Sequence, residues 1–499
     1  MIQIQDKNVE NQVYFPKNTN ITGDLVLKLH SELTQKDYTF DVVNESKTSN
    51  YYKFNVNFKS VENGEYTYFI NDTDSGLIRI GNVDEAVSTS TYIDGIEVVQ
   101  YYPQDVRETD YSKEPLTFKI LSYGTINWTT SDSSLTKTIE YKLNDGEWTH
   151  ITSNTEPSAS AIVVTRGNKI QFRGNNAQYA TNGSSYNTFG SSTAEFEVEG
   201  NIMSLIDSTD FKNNLIISSD YAFANLFRDC ANLVSAENLV LPATTLTKNC
   251  YQSMFQGCKS LTTAPSILPA TKLSDTCYSS MFEGCASLTK APKLPATTLA
   301  IGCYSGMFYY CTSLTTAPEL PATTLAGACY SSMFVSCTSL TVAPELPATK
   351  LESVCYNNMF NSCASLTTAP ALPATTLNFM CYGSMFYGCT SLTKAPKLPA
   401  MTLADYCYQY MFAGCTSLTA APELPAIKLT NSCYSYMLNR CTSLNYIKCL
   451  ATDISASNCT NGWVGGVAST GKFVKAAGME SWGTGSDGIP NNWAIENNI

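Results

Sequence analysis

A block of 26 residues repeats across the C-terminal half of this 499-residue chain and limits what the chain can fold into. A cysteine followed by a tyrosine marks each copy, at Cys250, Cys277, Cys303, Cys329, Cys355, Cys381, Cys407 and Cys433. The first interval is 27 residues, because Ile267 is inserted before Leu268. A fixed period of roughly 20–50 residues is typical of stacked repeat proteins, in which each unit buries its apolar face against its neighbours. Such stacks present long surfaces, so binding is expected rather than catalysis.

The copies combine an apolar period of four with a strand signal that a proline ends, except that the copy marked by Cys433 breaks from the pattern after Ile447. The period is shown by Leu299, Cys303, Met307 and Cys311, and it predicts a broad apolar face on a helix. Residues 314–317 form a short strand candidate. One helix and one strand per copy predict an α/β leucine-rich-repeat solenoid over residues 201–450. An imperfect copy at its start has Phe223, Phe227 and a single cysteine, and residues 451–499 are expected to form a C-terminal cap.

Two small all-β modules of the Ig-like sandwich type are expected before the repeats, at residues 1–105 and 106–200. In the first, Phe54, Val56 and Phe58 alternate with polar residues, and Leu25 to Leu29 keep the same spacing, which predicts strands with one buried face. The second has a hairpin signal at Asp145-Gly146. Its strand candidates are residues 116–121, 124–129, 138–143, 161–165, 169–173 and 194–198. A polar linker is expected at residues 103–114.

All nineteen cysteines lie between Cys230 and Cys459, most of them in pairs eight residues apart. On a helix, eight residues span roughly 12 Å, whereas a disulfide needs Cα atoms within about 7 Å. We therefore expect free thiols that act as small buried hydrophobes in columns along the stack. The spacing does not match a zinc site, and the chain has only two histidines, so no metal is expected.

Composition excludes several classes of partner. The net charge of −12, without any block of like charge, argues against a nucleic-acid partner. There is no apolar run of the roughly eighteen residues that a membrane span needs, so membrane insertion is not expected. The first seven residues contain neither a basic nor an apolar region, so a Sec signal peptide is not expected either.

No catalytic constellation and no cofactor site stands out, so the chain is expected not to be an enzyme. The two histidines, His30 and His150, lie in the β modules, far in sequence from the repeats. A cysteine copied eight times is typical of a core position rather than of a nucleophile. Both signs of charge occur at one loop position of the repeat, which is typical of solvated surface: Glu319, Glu345, Glu423, Lys293 and Lys397.

One near-match to a nucleotide-binding motif occurs in the tail. Gly466, Gly471 and Lys472 have the spacing of a phosphate loop. Phe473 stands where the motif needs a serine or threonine hydroxyl for magnesium, and no apolar strand precedes Gly466. A chance match is the better interpretation.

The best indication of a binding surface is the set of repeat positions at which the residue differs from copy to copy. Positions three, seven and ten after the repeat leucine face away from the cysteine and methionine stripe of the predicted helix. Aromatic residues at or beside these positions are the candidate ligand-binding residues: Tyr309, Tyr310, Phe379, Tyr387, Tyr406, Tyr410 and Tyr436. Exposed tyrosines in a row suit stacking on sugars or docking on a protein. The alternative is that they pack against adjacent repeats or a partner subunit. A second contact surface is the variable strand position, which carries Lys290, Val342, Lys394 and Ala420.

The repeated segment Cys-Tyr-x2-Met-Phe-x2-Cys-x-Ser-Leu-Thr, as at residues 277–289, resembles the BspA-like leucine-rich repeats of bacterial surface proteins. The resemblance covers residues 221–450 and its motif recurs eight times, with Leu438 in place of phenylalanine in the last copy. It implies a role in adhesion. BspA-like proteins normally carry a secretion signal, and this chain departs from them there.

Segments of the first module resemble a β-module in structural proteins of Bacteroides phages, including crAss-like phages: residues 13–16, 36–40, 51–54, 64–68 and 76–81. That resemblance implies a non-enzymatic head or tail fibre or decoration protein, assembled in the host cytoplasm and exposed on the virion surface. Residues 1–105 would contact capsid or tail proteins, residues 106–200 would be a spacer, and the repeats would bind a host-surface or mucosal glycan or protein. A homotrimer is expected by analogy. The alternative is a bacterial cell-surface adhesin whose leader is absent from the sequence.

Overall fold

The chain divides into two compact units, residues 1–109 and residues 110–499. The computed structural model describes residues 2–4, 10–16, 25–31, 36–42, 51–61, 64–70, 74–80, 90–93, 96–99, 110–479 and 482–498. Of the predicted linker, residues 103–109 lie outside the described residues, whereas residues 110–114 begin the second unit.

The described part of the first unit consists of nine strands. They are β1 Ile2–Ile4, β2 Glu10–Pro16, β3 Leu25–Ser31, β4 Lys36–Val42, β5 Tyr51–Asn57, β6 Gly64–Ile70, β7 Asp74–Ile80, β8 Ser90–Ile93 and β9 Ile96–Val99. Five of them form a sheet in the order β1-β7-β6-β3-β4, while β2 pairs with β5 and β8 with β9. Leu27 and Leu29 of β3 are buried in one cluster with Phe54 and Val56 of β5, so the predicted alternation is confirmed at these positions.

The second unit begins with nine strands and four short 3-10 helices. The strands are β10 Leu116–Ile120, β11 Gly124–Asn127, β12 Thr129–Thr130, β13 Thr138–Leu143, β14 Thr149–Thr152, β15 Ala161–Val164, β16 Lys169–Arg173, β17 Asn187–Thr188 and β18 Phe196–Asn201. The 3-10 helices are Tyr111–Lys113, Ser133–Leu135, Pro157–Ser160 and Ile202–Leu205. Strands are present at all six predicted places, with the predicted ends at residues 138–143 and 169–173 and with shifted ends at the other four.

The β region and the repeats share one sheet and one core. Strand β19, Leu233–Val240, adds in parallel to β18 and completes a six-stranded sheet in the order β14-β13-β16-β10-β18-β19. The Phe118 ring packs against Phe196 at 4.6 Å and against Phe227 of the imperfect first copy at 5.9 Å between ring centroids. The hydrophobic core is therefore continuous from β10 into the repeats.

The prediction of an α/β leucine-rich-repeat solenoid is wrong. Among the described residues there is no α-helix, and each predicted repeat helix is instead a series of four-residue turns. In residues 301–310, which we call a turn segment together with its equivalents, the amides alternate between two kinds of partner. The Cys303 amide closes a turn on the Ala300 carbonyl at 3.3 Å, and the next amide, of Tyr304, donates to the Cys329 carbonyl of the following copy at 3.0 Å.

The apolar period explains how the helix prediction failed. A period of four matches a repeated four-residue turn, in which Cys303, Met307 and Cys311 take equivalent inward places and all are fully buried. An α-helix has 3.6 residues per turn, so the same spacing would drift around its surface. Gly302 and Gly306 lie inside the segment with φ of 58° and 63°, and each would cost a helix about 1 kcal/mol relative to alanine. A positive φ at the third residue is what a type II turn requires.

Successive copies stack their side chains in register. The Phe334 ring lies 5.6 Å from those of Phe308 and Phe360, and a parallel column joins the tyrosines that follow the cysteines. All nineteen cysteines are buried and free, so the predicted thiol columns are confirmed, although the helical argument for them is wrong. The second cysteine of each Cys-Tyr copy donates its S–H to a phenylalanine carbonyl of the preceding copy, as Cys337 Sγ does to Phe308 O at 3.1 Å.

The predicted strand in each copy is reduced to single parallel bridges, such as Lys290 to Thr316 and Thr316 to Val342. The imperfect first copy belongs to the stack as predicted, because Phe223 N–H donates to Cys250 O at 2.8 Å. At the other end one further turn segment follows, where Leu438 N–H donates to Trp463 O at 2.8 Å. Parallel strands β20 Tyr446–Cys449, β21 Lys472–Ala476 and β22 Ala494–Asn498 flank it.

Candidate functional site

The candidate aromatic residues all lie on the outer surface of the turn segments, which we call the turn wall. Their positions follow from the turns, since two residues of each four point into the core and two point outward. Tyr310, Phe379 and Tyr387 are 51%, 43% and 40% exposed. Tyr406 and Tyr410 are half-buried.

The structure brings five of the seven candidates into two groups, both carried by the last three Cys-Tyr copies. In the first group Tyr410 stacks on Tyr436 with the rings 4.8 Å apart and 3° from parallel, and Tyr387 meets Tyr410 at 6.4 Å and 64°. The second group is Phe379 and Tyr406, whose ring centroids are 5.3 Å apart. We call these five residues the aromatic patch.

Tyr309 and Tyr310 are not part of the aromatic patch. They form an edge-to-face pair of their own at 4.6 Å, in the copy marked by Cys303. Burial and the neighbouring Tyr310 raise the pKa of the Tyr309 hydroxyl. The predicted row is thus a patch and a separate pair.

The patch tyrosines occupy backbone positions that disfavour them. Tyr410 and Tyr436 have φ of 55° and 53°, in the left-handed region where a bulky residue is an outlier. Other copies fill the equivalent position with small or polar residues: Ser253, Ser280, Gly306, Ser332, Asn358 and Ser384. Backbone strain of this kind costs on the order of 1 kcal/mol, and it recurs in other turn segments at Val354 and Met380, with φ of 62° and 50°.

The two tyrosines differ in what covers them. One face of Tyr436 stacks on Tyr410, and its ring also borders Gly462, where a Cβ would lie 2.5 Å from a ring carbon. Tyr436 therefore packs between copies, as the alternative interpretation expected. Burial, followed by the neighbouring rings of Tyr436 and Tyr387, raises the pKa of the Tyr410 hydroxyl, which stays a neutral donor. The sequence did not indicate that Gly462 leaves room for the Tyr436 ring.

The other chemical candidates are held in structural roles. His150 is on β14, the outermost strand of its sheet, with Nε2 3.9 Å from Glu140 Oε1. His30 Nδ1 lies 2.6 Å from Asp37 Oδ1 on the adjacent strand. In the tail, Lys472 starts β21 and pairs with Glu496 at 2.6 Å, and a strand rather than a helix follows Gly471. This geometry is not that of a phosphate loop.

Within the described ranges, no three histidine, cysteine or acidic side chains lie close enough to share a metal ion. The part of the chain that the structure describes also has no helix with the length and apolarity to cross a membrane. Comparisons with protein-family models, with curated proteins and with solved structures find no match to this chain.

Proposed function

We propose that this chain is a non-enzymatic binding protein that recognises a surface glycan through its aromatic patch. One observation carries the proposal: Tyr410 and Tyr436 hold a left-handed backbone at a position where six other copies have glycine, serine or asparagine. A stack that needed only stability would keep those smaller residues, because they reach a positive φ at lower cost.

The surroundings of the patch favour a sugar. Tyr387 and Phe379 expose ring surface on which the C–H face of a sugar can stack. Polar side chains adjoin the patch residues in sequence, with Asn378 before Phe379, Asp405 before Tyr406 and Gln409 before Tyr410. Asp405 accepts from Asn431 at 3.0 and 3.1 Å, and a carboxylate oxygen can accept a further hydrogen bond from a sugar hydroxyl.

The wider setting that we propose is a phage virion. The β-strands of residues 1–109 would attach the chain to capsid or tail proteins, and residues 110–499 would present the patch to the host surface or to mucus. A homotrimer would carry three patches, and weak sites gain strength by avidity when several engage one surface. A bacterial cell-surface adhesin using the same patch is the alternative setting.

Replacing Tyr410 with serine is expected to remove glycan binding while leaving the fold intact. Serine occupies this position in four other copies, so the change relieves the strained backbone. Loss of a central aromatic contact typically costs about 2 kcal/mol or more, roughly a thirty-fold loss of affinity. The measurement is binding of the full chain to an array of bacterial-surface and mucin glycans, followed by titration of each glycan that binds.

Tyr123→Ser is the matched control for Tyr410→Ser, because Tyr123 is 76% exposed and lies in the β region rather than on the turn wall. Its binding and its midpoint of unfolding should equal those of the parent. If no glycan binds, or if binding survives Tyr410→Ser, the aromatic patch is not a glycan site.

The virion setting predicts where the protein is found. Mass spectrometry of density-purified phage particles should recover peptides from both units at a fixed ratio to the capsid protein. Fractionated envelopes of uninfected host cells serve as the control. Recovery from those envelopes alone would make the chain a bacterial adhesin and leave the binding role of the patch standing.

A further inference from the structure

A second candidate site lies away from the turn wall, on the loops that contain the prolines. A groove of about 640 Å³ opens between the loops of the copies marked by Cys277 and Cys303. Its lining includes the exposed lysines Lys290 and Lys293, the opposing Glu319 and the inserted Ile267. That volume lies in the range of small-ligand sites, roughly 300–1,000 Å³.

The inserted residue lies at the edge of the groove and ties one of its loops to the preceding copy. Ile267 bridges to Lys293, and two hydrogen bonds of 3.0 Å, from Leu268 N–H to Lys293 O and from Lys293 N–H to Ser266 O, hold these loops together. On the other side, among the described residues, no backbone hydrogen bond joins residues 291–295 to residues 317–321. The loop is held towards its N-terminal neighbour, and the space towards the C-terminal neighbour stays open.

The charge of this region is opposite to that of the chain. Between residues 248 and 293 there are five lysines but only Asp275 and Glu283 as acids, in a chain of net charge −12. Neither Lys290 nor Lys293 forms an ion pair with a described residue. The lysine of another copy, Lys448, does pair, at 3.0 Å from Glu423. The ammonium groups at the groove are thus available to an anion.

The lining also restricts which anion fits. Pro292, Pro295, Pro318 and Pro321 border the groove and have no N–H, so it offers few of the backbone donors that an added peptide strand needs. Threonine hydroxyls and pyrrolidine faces suit a sugar instead. The carboxylate of Glu319, on the far side of the groove, repels a densely charged polymer. A saccharide with one negative charge per sugar unit is therefore favoured over one with clustered sulfate or phosphate groups.

From this groove we infer that the chain has a second binding site, for a saccharide that carries a carboxylate. The carboxylate is held by Lys290 and Lys293, and the ring lies on the proline faces between the two loops. The site uses none of the residues of the aromatic patch and does not depend on the proposed function of that patch.

The chain contains its own matched control. Residues 289–296 and 393–400 have the same sequence, Thr-Lys-Ala-Pro-Lys-Leu-Pro-Ala, but no insertion precedes the second. The test variant is K290T/K293A and the control is K394T/K397A, which makes the same change of charge. Threonine and alanine occur at these positions in other copies, at Thr316 and Ala371. A third variant deletes Ile267 and restores the 26-residue period without changing the charge.

Titration calorimetry of the full chain with oligosaccharides of galacturonate, glucuronate and sialic acid, each beside its neutral methyl ester, measures the binding. The expected result is binding of at least one acid form over its ester, weakened at least ten-fold by K290T/K293A and by deletion of Ile267. K394T/K397A and Tyr410→Ser should bind like the parent. Added salt should weaken binding, because exposed charges are screened. Midpoints of thermal unfolding confirm that each variant is folded.

Three results would overturn the inference. One is that no acid form binds; another is that the methyl esters bind as well as the acids. The third is that both double variants lose affinity equally, which would show a diffuse charge effect. None of these results bears on Tyr410, so a failure here is distinguishable from a failure of the aromatic patch.

Discussion

Raising the pH above about 8.5 is expected to unfold the repeat stack within roughly one pH unit. Burial raises the pKa of all nineteen cysteine thiols in the folded chain, for instance to about 12 at Cys230 and to about 11 at Cys433. In the unfolded chain a thiol ionises near pH 8.5. The unfolded state therefore loses protons first, so stability is complete below that pH and falls as the pH rises towards the folded pKa values.

The size of the effect comes from the number of groups. Each thiol that is ionised only in the unfolded state lowers the free energy of unfolding by about 1.4 kcal/mol per pH unit. Summed over the nineteen thiols, the loss of unfolding free energy over one pH unit exceeds the typical net stability of about 5–15 kcal/mol. Burial also raises the pKa of the stacked tyrosines, such as Tyr330 and Tyr382, which adds to the slope at higher pH.

Equilibrium urea unfolding, followed by circular dichroism under reducing conditions from pH 7 to pH 10, measures this slope. Replacing Cys303, Cys329, Cys355 and Cys381 with alanine supplies the internal comparison. The variant should be less stable at pH 7, because four cavities open. Its free energy of unfolding should nevertheless fall with pH less steeply than that of the parent, by roughly 5 kcal/mol per pH unit. A parent whose stability is constant to pH 10 would show that the thiols are not held neutral by burial.

Replacing Phe334 with alanine is expected to destabilise the chain by about 3–5 kcal/mol. The ring is fully buried and stacks at 5.6 Å on the equivalent ring of each neighbouring copy. Because each copy of a stack contacts only its neighbours, a defect in the middle also uncouples the two halves. Urea unfolding should therefore become biphasic as well as start at lower urea.

Phe379→Ala is the control for this experiment, since it removes the same atoms from a ring that is 43% exposed. It should change the free energy of unfolding by less than about 1 kcal/mol and leave a single transition. Equal losses in the two variants would contradict the assignment of Phe334 to the stacked column.

The parts of the fold that were predictable depend on local pattern. Alternation at Leu27, Leu29, Phe54 and Val56 predicted buried strand faces, because successive side chains of a strand point to opposite sides. The burial of the cysteines was predictable because identical residues at a fixed period take equivalent places in every copy. The turn segments were not predicted, although two glycines, Gly302 and Gly306, within a single predicted helix were a signal against that helix.

The candidate site was predictable in composition but not in arrangement. Tyr410 and Tyr436 could be identified as outward-facing from their place in the repeat, because a helix and a turn segment both put that place opposite the cysteines. Which rings touch depends on the stacking distance between copies and on Gly462, which borders the Tyr436 ring. Of the two groove lysines, Lys290 was named in the sequence as part of a second contact surface, whereas Lys293 was assigned to solvated surface; only the structure places both on one groove.

The sequence by itself determined that the copies stack, because a 26-residue period of apolar residues can be buried only against its own repetition. It also determined that the thiols are buried and that Tyr410 and Tyr436 take positions opposite the cysteines. Only the tertiary structure decided between helix and turns. The amide of Tyr304 bonds to a carbonyl 25 residues away in the next copy, and no local propensity encodes a partner at that distance. The backbone conformation of each copy is thus decided by its neighbours.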